Sequence, residues 1–252
     1  MAEVEVWGMR DSRMWCAAVA ILLISAVPVA AQGWIEPGVD RGGFAVDKIR
    51  SEVVVRVEGR VALVVVSVWF VNGGQRVAEG DYHYPLPGES VFQGFSLFQG
   101  DAELRGEIMD AERAREVYEA IVRRRADPAL IELAGHGLLR ARVFPIEPGE
   151  TRRVTLRYTQ VLERAGDALQ LVYAGGIRGG AQAGAGDAAS TRGESVESHF
   201  EVVIDNCDAF LDPFSPTHTL DIERDEERMT VSIDEEIVGR LALFLPMAGR
   251  AV

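Results

Sequence analysis

The chain has 252 residues, 48% of them hydrophobic, and its 26 Lys and Arg against 39 Asp and Glu give a net charge of -13 at pH 7. This length and hydrophobic content are typical of a globular protein with one large or two small domains and a sizeable core. The negative charge repels a phosphate backbone, so the sequence predicts no nucleic acid partner. An acidic surface also suits cations or basic proteins, but solubility is the simpler interpretation.

The N-terminal segment is typical of a secretory signal peptide. Arg10 and Arg13 precede an uncharged stretch whose apolar core is shorter than the ~20 residues of a comfortable membrane span. Ala31 ends a run of small residues of the kind a signal peptidase requires, which predicts a signal peptide over residues 1–31. The chain is therefore expected to be exported and to be periplasmic or extracellular after cleavage, with an uncleaved membrane anchor as the alternative.

Cysteine usage adds no covalent scaffold. Cys16 lies in the predicted signal peptide, which leaves Cys207 alone. One thiol makes no intramolecular disulfide, so the fold must depend on its core. A buried Cys207 is the expected state, and an intermolecular bridge is the alternative.

Alternating and β-branched segments predict a mainly β protein. Val53, Val55 and Val57 repeat with a period of two, and the apolar run over residues 61–71 predicts a strand buried on both faces. Asn72-Gly73-Gly74 predicts the turn that follows. Further strands are predicted at residues 91–98, 102–108, 138–144, 152–162, 168–173, 199–205, 218–223, 229–233 and 241–245.

Residues 79–87, Glu-Gly-Asp-Tyr-His-Tyr-Pro-Leu-Pro, are the most informative stretch. Side chains alternate along a half-buried strand, so Tyr82 and Tyr84 are expected to share one face. Pro85 and Pro87 lack a backbone N–H, which takes the chain out of the sheet or to its edge. Such a rigid corner serves either the fold or a binding surface.

One helix is predicted between Asp110, a good N-cap, and Pro128, which prevents continuation. Arginines 123–125 fall in its last turn, where cations suit the helix dipole better than they predict an anion site. The apolar positions at helical spacing are Ala114, Val117, Tyr118, Ile121 and Val122.

Composition changes sharply over residues 174–194, which are rich in glycine and lack apolar periodicity. They are predicted to form a flexible linker or a long mobile loop. The β-strand extension at residues 195–252 is marginal as an independent domain. It is expected either to complete a sandwich begun upstream or to pack on a missing partner domain.

Short motifs occur in a fixed order between residues 44 and 164. They are Phe70-Val71-Asn72; Glu79, Tyr82, Tyr84, Pro85, Leu86 and Pro87; Ala114 and Arg115 with Tyr118, Glu119 and Ala120; Leu130, Ile131, Glu132 and Phe144; Pro148, Gly149 and Glu150; and Tyr158. In this order the motifs resemble those of the VIT domain, the N-terminal module of inter-alpha-trypsin inhibitor heavy chains.

The resemblance implies a VIT domain at residues 44–173, a β-sandwich-like module with one short α-helix that binds other proteins and performs no catalysis. It also implies that Tyr82 and Tyr84 anchor the core. The sequence departs mildly from the family pattern, with Gly80 where Ala is usual and Tyr84 where Phe is usual.

Members of that family usually continue into a von Willebrand A domain, whose metal-dependent adhesion site begins with Asp-x-Ser-x-Ser. No such run occurs in this sequence, and the spacing and two prolines of residues 212–217 do not replace it. Two hypotheses follow. The chain is a non-catalytic exported interaction or structural module, or it is the N-terminal platform of a truncated VIT–von Willebrand A adhesion protein whose metal-dependent binding lies in the missing domain.

Catalytic and metal-binding patterns are absent from the sequence. It contains no G-x-S-x-G, no phosphate-binding loop, no G-x-G-x-x-G after a strand and no H-E-x-x-H. His83, His136, His199 and His218 lack short ligand spacing, and the acidic clusters lack the glycine of a calcium loop. The sequence therefore predicts no catalytic residue, cofactor or metal site, and a hydrolase with dispersed residues is the remaining alternative.

Overall fold

Strands make up most of the chain that the computed structural model describes, namely residues 33–37, 45–106, 131–134, 138–174, 196–237 and 239–249. The predicted signal peptide and the predicted helix, with Ala114, Arg115, Tyr118 and Glu119, lie outside these residues. So does the glycine-rich segment beyond Ala174.

The described residues contain fifteen strands. In chain order they are β1 Trp34–Pro37, β2 Val46–Glu58, β3 Val61–Asn72, β4 Ala78–Pro85, β5 Val91–Gln99, β6 Ala102–Arg105, β7 Ile131–Ala134, β8 Leu138–Ile146, β9 Thr151–Val161, β10 Glu163–Ala165, β11 Ala168–Ala174, β12 Glu197–Asp205, β13 Asp221–Arg224, β14 Arg228–Ile233 and β15 Arg240–Pro246. A short 3-10 helix, Cys207–Ala209, follows β12.

These strands form three sheets. The large sheet has eight strands in the order β13-β14-β12-β2-β3-β9-β5-β6. A four-stranded sheet has the order β1-β4-β8-β7, and a three-stranded sheet has the order β10-β11-β15. The pairs are antiparallel except for β12, which runs parallel to β2.

The three sheets pack as two layers around one core. Tyr82 of the four-stranded sheet lies 6.0 Å from Phe70 and 6.1 Å from Phe95 of the large sheet, measured between ring centroids. Tyr173 of the three-stranded sheet lies 5.2 Å from Phe200 of β12. All these side chains belong to one cluster of buried residues. The predicted mainly β fold is confirmed, and it is a sandwich with the large sheet as one layer.

Strand β3 corrects the expectation that it is buried on both faces. Its burial alternates, with Val64 and Val66 at most 1% exposed but Val61 47% and Leu63 37% exposed. An antiparallel sheet can pack one face on the core and leave the other in solvent. The β-branched run therefore suits a central strand of an open-faced sheet, not one enclosed on both sides.

The strands that follow the glycine-rich segment complete both layers of the sandwich. β12 pairs with β2 from Glu197↔Arg50 to Ile204↔Val57, which adds it to the large sheet. β15 pairs with β11 along its whole length in the opposite layer. Cys207 is a free, buried thiol, and its Sγ lies 3.6 Å from the Asp225 carbonyl oxygen.

Replacing Phe200 with alanine tests whether these late strands share the core. We expect Phe200→Ala to lower the free energy of unfolding by about 3–5 kcal/mol, because it removes a buried ring from between the layers. Urea unfolding should show one transition at a lower midpoint. The control Leu211→Ala, at a residue 56% exposed, should change the free energy by no more than about 0.5 kcal/mol. Two separate transitions would contradict a shared core.

Candidate interaction surface

The Tyr-His-Tyr-Pro corner points inward. Tyr82 and Tyr84 on β4 are 0% and 1% exposed, and the backbone of Gly33 packs so closely on the Tyr82 hydroxyl that a Cβ has no room there. The Tyr84 and Tyr158 hydroxyls lie 3.4 Å apart. Burial raises the pKa of Tyr82 and Tyr84, and it raises the pKa of Tyr158 to about 12. These phenols stay neutral at physiological pH and serve as core anchors.

Asn72, at the end of β3, ties three segments together. Its side-chain amide is buried and donates to the carbonyl oxygens of Arg76 and Ile146, each at 2.8 Å. Its Oδ1 accepts from the Gly74 N–H at 2.9 Å, which shapes the turn into β4. One side chain therefore joins the end of β3, the start of β4 and the end of β8.

The turn at Pro148-Gly149-Glu150 closes on the same asparagine. The Gly149 N–H donates to the Asn72 carbonyl at 2.7 Å, and the Asn72 N–H donates to the Glu150 carbonyl at 3.0 Å. Gly149 has φ +76°, a conformation that favours glycine. Two distant motifs of the sequence thus form one hydrogen-bonded junction.

Glu150 orients a buried arginine beside that junction. Its carboxylate accepts from the Glu147 N–H at 2.8 Å and lies 3.2 Å from Nε of Arg152. The Arg152 side chain is 1% exposed and donates to the Pro145 carbonyl at 2.7 Å. Glu150 and Arg152 therefore link the start of β9 in the large sheet to the end of β8 in the four-stranded sheet.

The opposite face of the large sheet carries a row of stacked side chains. Arg50 on β2 lies 4.8 Å from the Trp69 ring on β3, measured from the guanidinium carbon to the ring centroid. Arg153 on β9 lies 5.7 Å from Trp69 and 3.7 Å from the Phe98 ring on β5. Cross-strand pairing puts these four residues in register. Sequence reasoning missed them, since only strand order brings them together.

An exposed apolar patch lies on the same face, toward the β2–β3 turn. Val61 pairs with Val161, and Leu63 and Val91 both pair with Thr159. Val61, Val91 and Val161 are 47%, 59% and 55% exposed. We call this face, from the Trp69 row to these valines, the outer face.

The comparisons with known proteins assign the module. Residues 50–158, which run from within β2 to within β9, match the family model described as "Vault protein inter-alpha-trypsin domain", or VIT. Residues 50–158 form a VIT domain. No curated protein matches the chain.

The solved structure of a Legionella pneumophila protein, provisionally described as nutrient binding, is similar to this chain. The similarity covers 86% of this chain and 71% of the Legionella chain. Its sequence identity is 11% and its TM-score is 0.45. At that level the similarity assigns no ligand to the VIT domain.

The structure disperses the motif residues predicted from the sequence around the VIT domain. Glu79 is exposed on β4, Pro85, Leu86 and Pro87 are half-buried at its end, and Leu86 packs on the core. Pro148 and Gly149 are exposed in their turn. These residues surround the Asn72 junction and the tyrosines; they do not form a pocket together.

Asp81 clasps β4 to β8 on the far side of the four-stranded sheet. Its carboxylate accepts from Arg140 at 2.5 Å and from Nε of Arg142 at 3.2 Å. Burial alone would raise the pKa of Asp81, but the hydrogen bonds and charges of the two arginines hold it below the ordinary value. The Asp81 side chain is 13% exposed, so the clasp is partly shielded from water.

His199 and Asp225 make local polar contacts. His199 Nδ1 lies 2.7 Å from an Asp234 oxygen, and Asp225 accepts from the N–H groups of Glu227 and Arg228, which lower its pKa. Across the described ranges, no group of three His, Cys, Asp or Glu is placed to hold a metal ion. No helix in the described part of the VIT chain is long and apolar enough to cross a bilayer.

Removing the Asn72 amide should weaken the whole VIT domain. We expect Asn72→Ala to lower the free energy of unfolding by about 3 kcal/mol, because it removes three hydrogen bonds and leaves a buried carbonyl unpaired. Chemical denaturation measures the change. The matched control is Gln75→Ala, an exposed residue of the same turn, which should be near neutral. Asn72→Asp places a carboxylate against two carbonyl oxygens and should also destabilise the fold. Wild-type stability in this variant would show that the Asn72 hydrogen bonds do not hold the three segments together.

The Asp81 clasp should depend on pH. We expect Asp81→Asn to lower the free energy of unfolding at pH 7 by about 1–2 kcal/mol, since it loses charged hydrogen bonds. The folded pKa lies below the ordinary 3.8, so this contribution is complete above that value and disappears as pH falls through the folded pKa. Urea midpoints of the wild type and the variant should therefore converge in acid. Exposed Asp101→Asn is the control, and a difference that persists in acid would contradict the assignment.

Proposed function

We propose that this chain is a non-catalytic, exported protein-interaction module, and that the outer face of its large sheet binds a protein partner. The observation that carries the proposal is the patch of exposed Val61, Leu63, Val91 and Val161 on an open sheet face. Exposed apolar patches of this kind are typical of protein interaction sites.

The arrangement of the motif residues supports a non-catalytic role. Tyr82 and Tyr84 are buried and neutral, and Asn72 and Glu150 are engaged in bonds between strands and turns. A catalytic site needs a nucleophile or a base with room for a substrate beside it. The recognisable residues of this module instead build a scaffold, which leaves the outer face for binding.

The predicted signal peptide supports a setting outside the cytoplasm. The chain would then act in the periplasm or outside the cell, after cleavage behind Ala31. Its fold needs no disulfide in that setting, because the described part of the chain contains one cysteine, Cys207, and a continuous core.

A second candidate function is supported by the segment between β12 and β13. Leu211 and Phe214 are 56% and 52% exposed there, and the Phe214 ring stacks on Phe244 at 5.1 Å. For the platform hypothesis, we propose that the von Willebrand A partner domain docks on this segment. The partner would then be held by Leu211 and Phe214 and not by the outer face.

Placing a charge on either surface separates the two functions. We expect Val161→Glu to lower recovery of a partner from envelope extract at least about tenfold, because it buries a charge in an apolar contact. The matched control is Val77→Glu in the turn between β3 and β4, where the valine is 48% exposed. Crosslinking followed by quantitative mass spectrometry measures both variants. Loss of the partner in Leu211→Glu but not in Val161→Glu would favour the platform and overturn the outer face.

A further inference from the structure

The row on the outer face extends across six strands. Its members lie opposite one another on neighbouring strands. Two acidic residues form its ends, and between them arginines alternate with aromatic residues. From β12 to β6 they are Glu197, Arg50, Trp69, Arg153, Phe98 and Glu103.

The two arginines of this row differ in their partners. Arg50 lies 3.4 Å from a Glu52 oxygen and 3.7 Å from a Glu197 oxygen. Arg153 lies between Trp69 and Phe98, and within the described part of the chain it makes no ion pair. Glu103, the next residue in the row beyond Phe98, is engaged by Ser96 at 2.7 Å and by Arg105 at 3.2 Å. The Arg153 guanidinium is thus in contact with two aromatic rings, and no carboxylate of the described residues neutralises its charge.

Stacking leaves one part of a guanidinium available. Aromatic rings cover the flat faces of the group, whereas its N–H donors point outward from its edge in a rigid fork. That fork matches the two oxygens of a carboxylate. Arg50, which stacks on the other side of Trp69, approaches two carboxylates with one nitrogen each, so stacking on Trp69 and pairing with a carboxylate occur together in this row.

We propose that Arg153 is the anchor of a binding site for an acidic protein segment, in which it takes the carboxylate of an Asp or Glu side chain of the partner. The site rests on the proposed function, since it lies on the same outer face. About eight residues of β3 separate Trp69 from Val61, which is roughly 26 Å of strand at ~3.3 Å per residue. That span fits within one ordinary protein interface.

The arrangement favours a peptide over an acidic polysaccharide. A sugar ring would bind by stacking on an aromatic face, but Arg50 and Arg153 lie against Trp69, and Arg153 lies against Phe98. The apolar residues farther along the face, Leu63 and Val61, suit apolar side chains of a partner protein. The partner is therefore a protein surface with an acidic residue beside an apolar area.

Titration of the full chain with hexaglutamate at about 0.15 M salt, where the net charge of -13 is screened beyond ~8 Å, tests this site. The readout is the NMR cross-peak of the Arg153 Nε–H together with the dissociation constant. We expect Arg153→Gln to weaken hexaglutamate binding about tenfold, as expected for loss of a charged, bidentate hydrogen bond. Arg153→Lys keeps the charge without the fork, so it should bind several-fold more weakly than the wild type. This variant also tests the site if Arg153→Gln fails to fold.

The control is Arg56→Gln. Arg56 lies on the same face of β2 as Arg50, but it already has a carboxylate partner, Asp205, at 4.0 Å. It should leave the dissociation constant within about twofold. Absence of hexaglutamate binding, equal weakening in both variants, or binding of polygalacturonate in its place would overturn the proposal. If hexaglutamate binds but no envelope partner is found, the proposed function is wrong and the carboxylate site stands. If Arg153→Gln still binds a partner, the carboxylate site is wrong and the proposed function stands.

Discussion

The buried amide of Asn72 is the constraint on which the rest of the structure depends. A buried amide must find hydrogen-bond partners, and this one finds them on two segments at once, at Gly74 and Arg76 in the turn after β3 and at Ile146 at the end of β8. Those bonds fix where β3 ends, where β4 starts and where β8 ends. The four-stranded sheet is thereby set over the large sheet at the spacing that Tyr82 and Tyr84 fill.

The period of two along each strand then divides the module into two roles. Inward positions such as Tyr82, Tyr158 and Phe70 complete one core, so the motifs that identify the VIT domain are mainly architectural. Outward positions on the same large sheet are not needed by that core. They are therefore available for recognition, and it is there that the structure gathers Trp69, Arg153 and the exposed valines.

The features that were predicted from the sequence are those that depend on the order of neighbouring residues. Alternation located most strands and the buried face of β4, and Pro148-Gly149 marked its turn. The sequence did not predict that β3 has one open face, because enclosure depends on the other sheet. Nor did it predict β12 beside β2 or the Arg50 to Phe98 row, since pairing between distant strands leaves no local signal. Strand β13 begins at Asp221 and not at residue 218, because the Ser215 hydroxyl accepts from the N–H groups of Thr217 and His218 and holds a turn there.

We propose that the outer face, and no other surface of the described chain, meets the partner. Hydroxyl-radical footprinting of the side chains, with and without the bound partner, tests it most directly. We expect protection of Leu63, Val91 and Val161, with Leu211 and Phe214 unchanged. Protection of Leu211 and Phe214 with the outer face still reactive would contradict it.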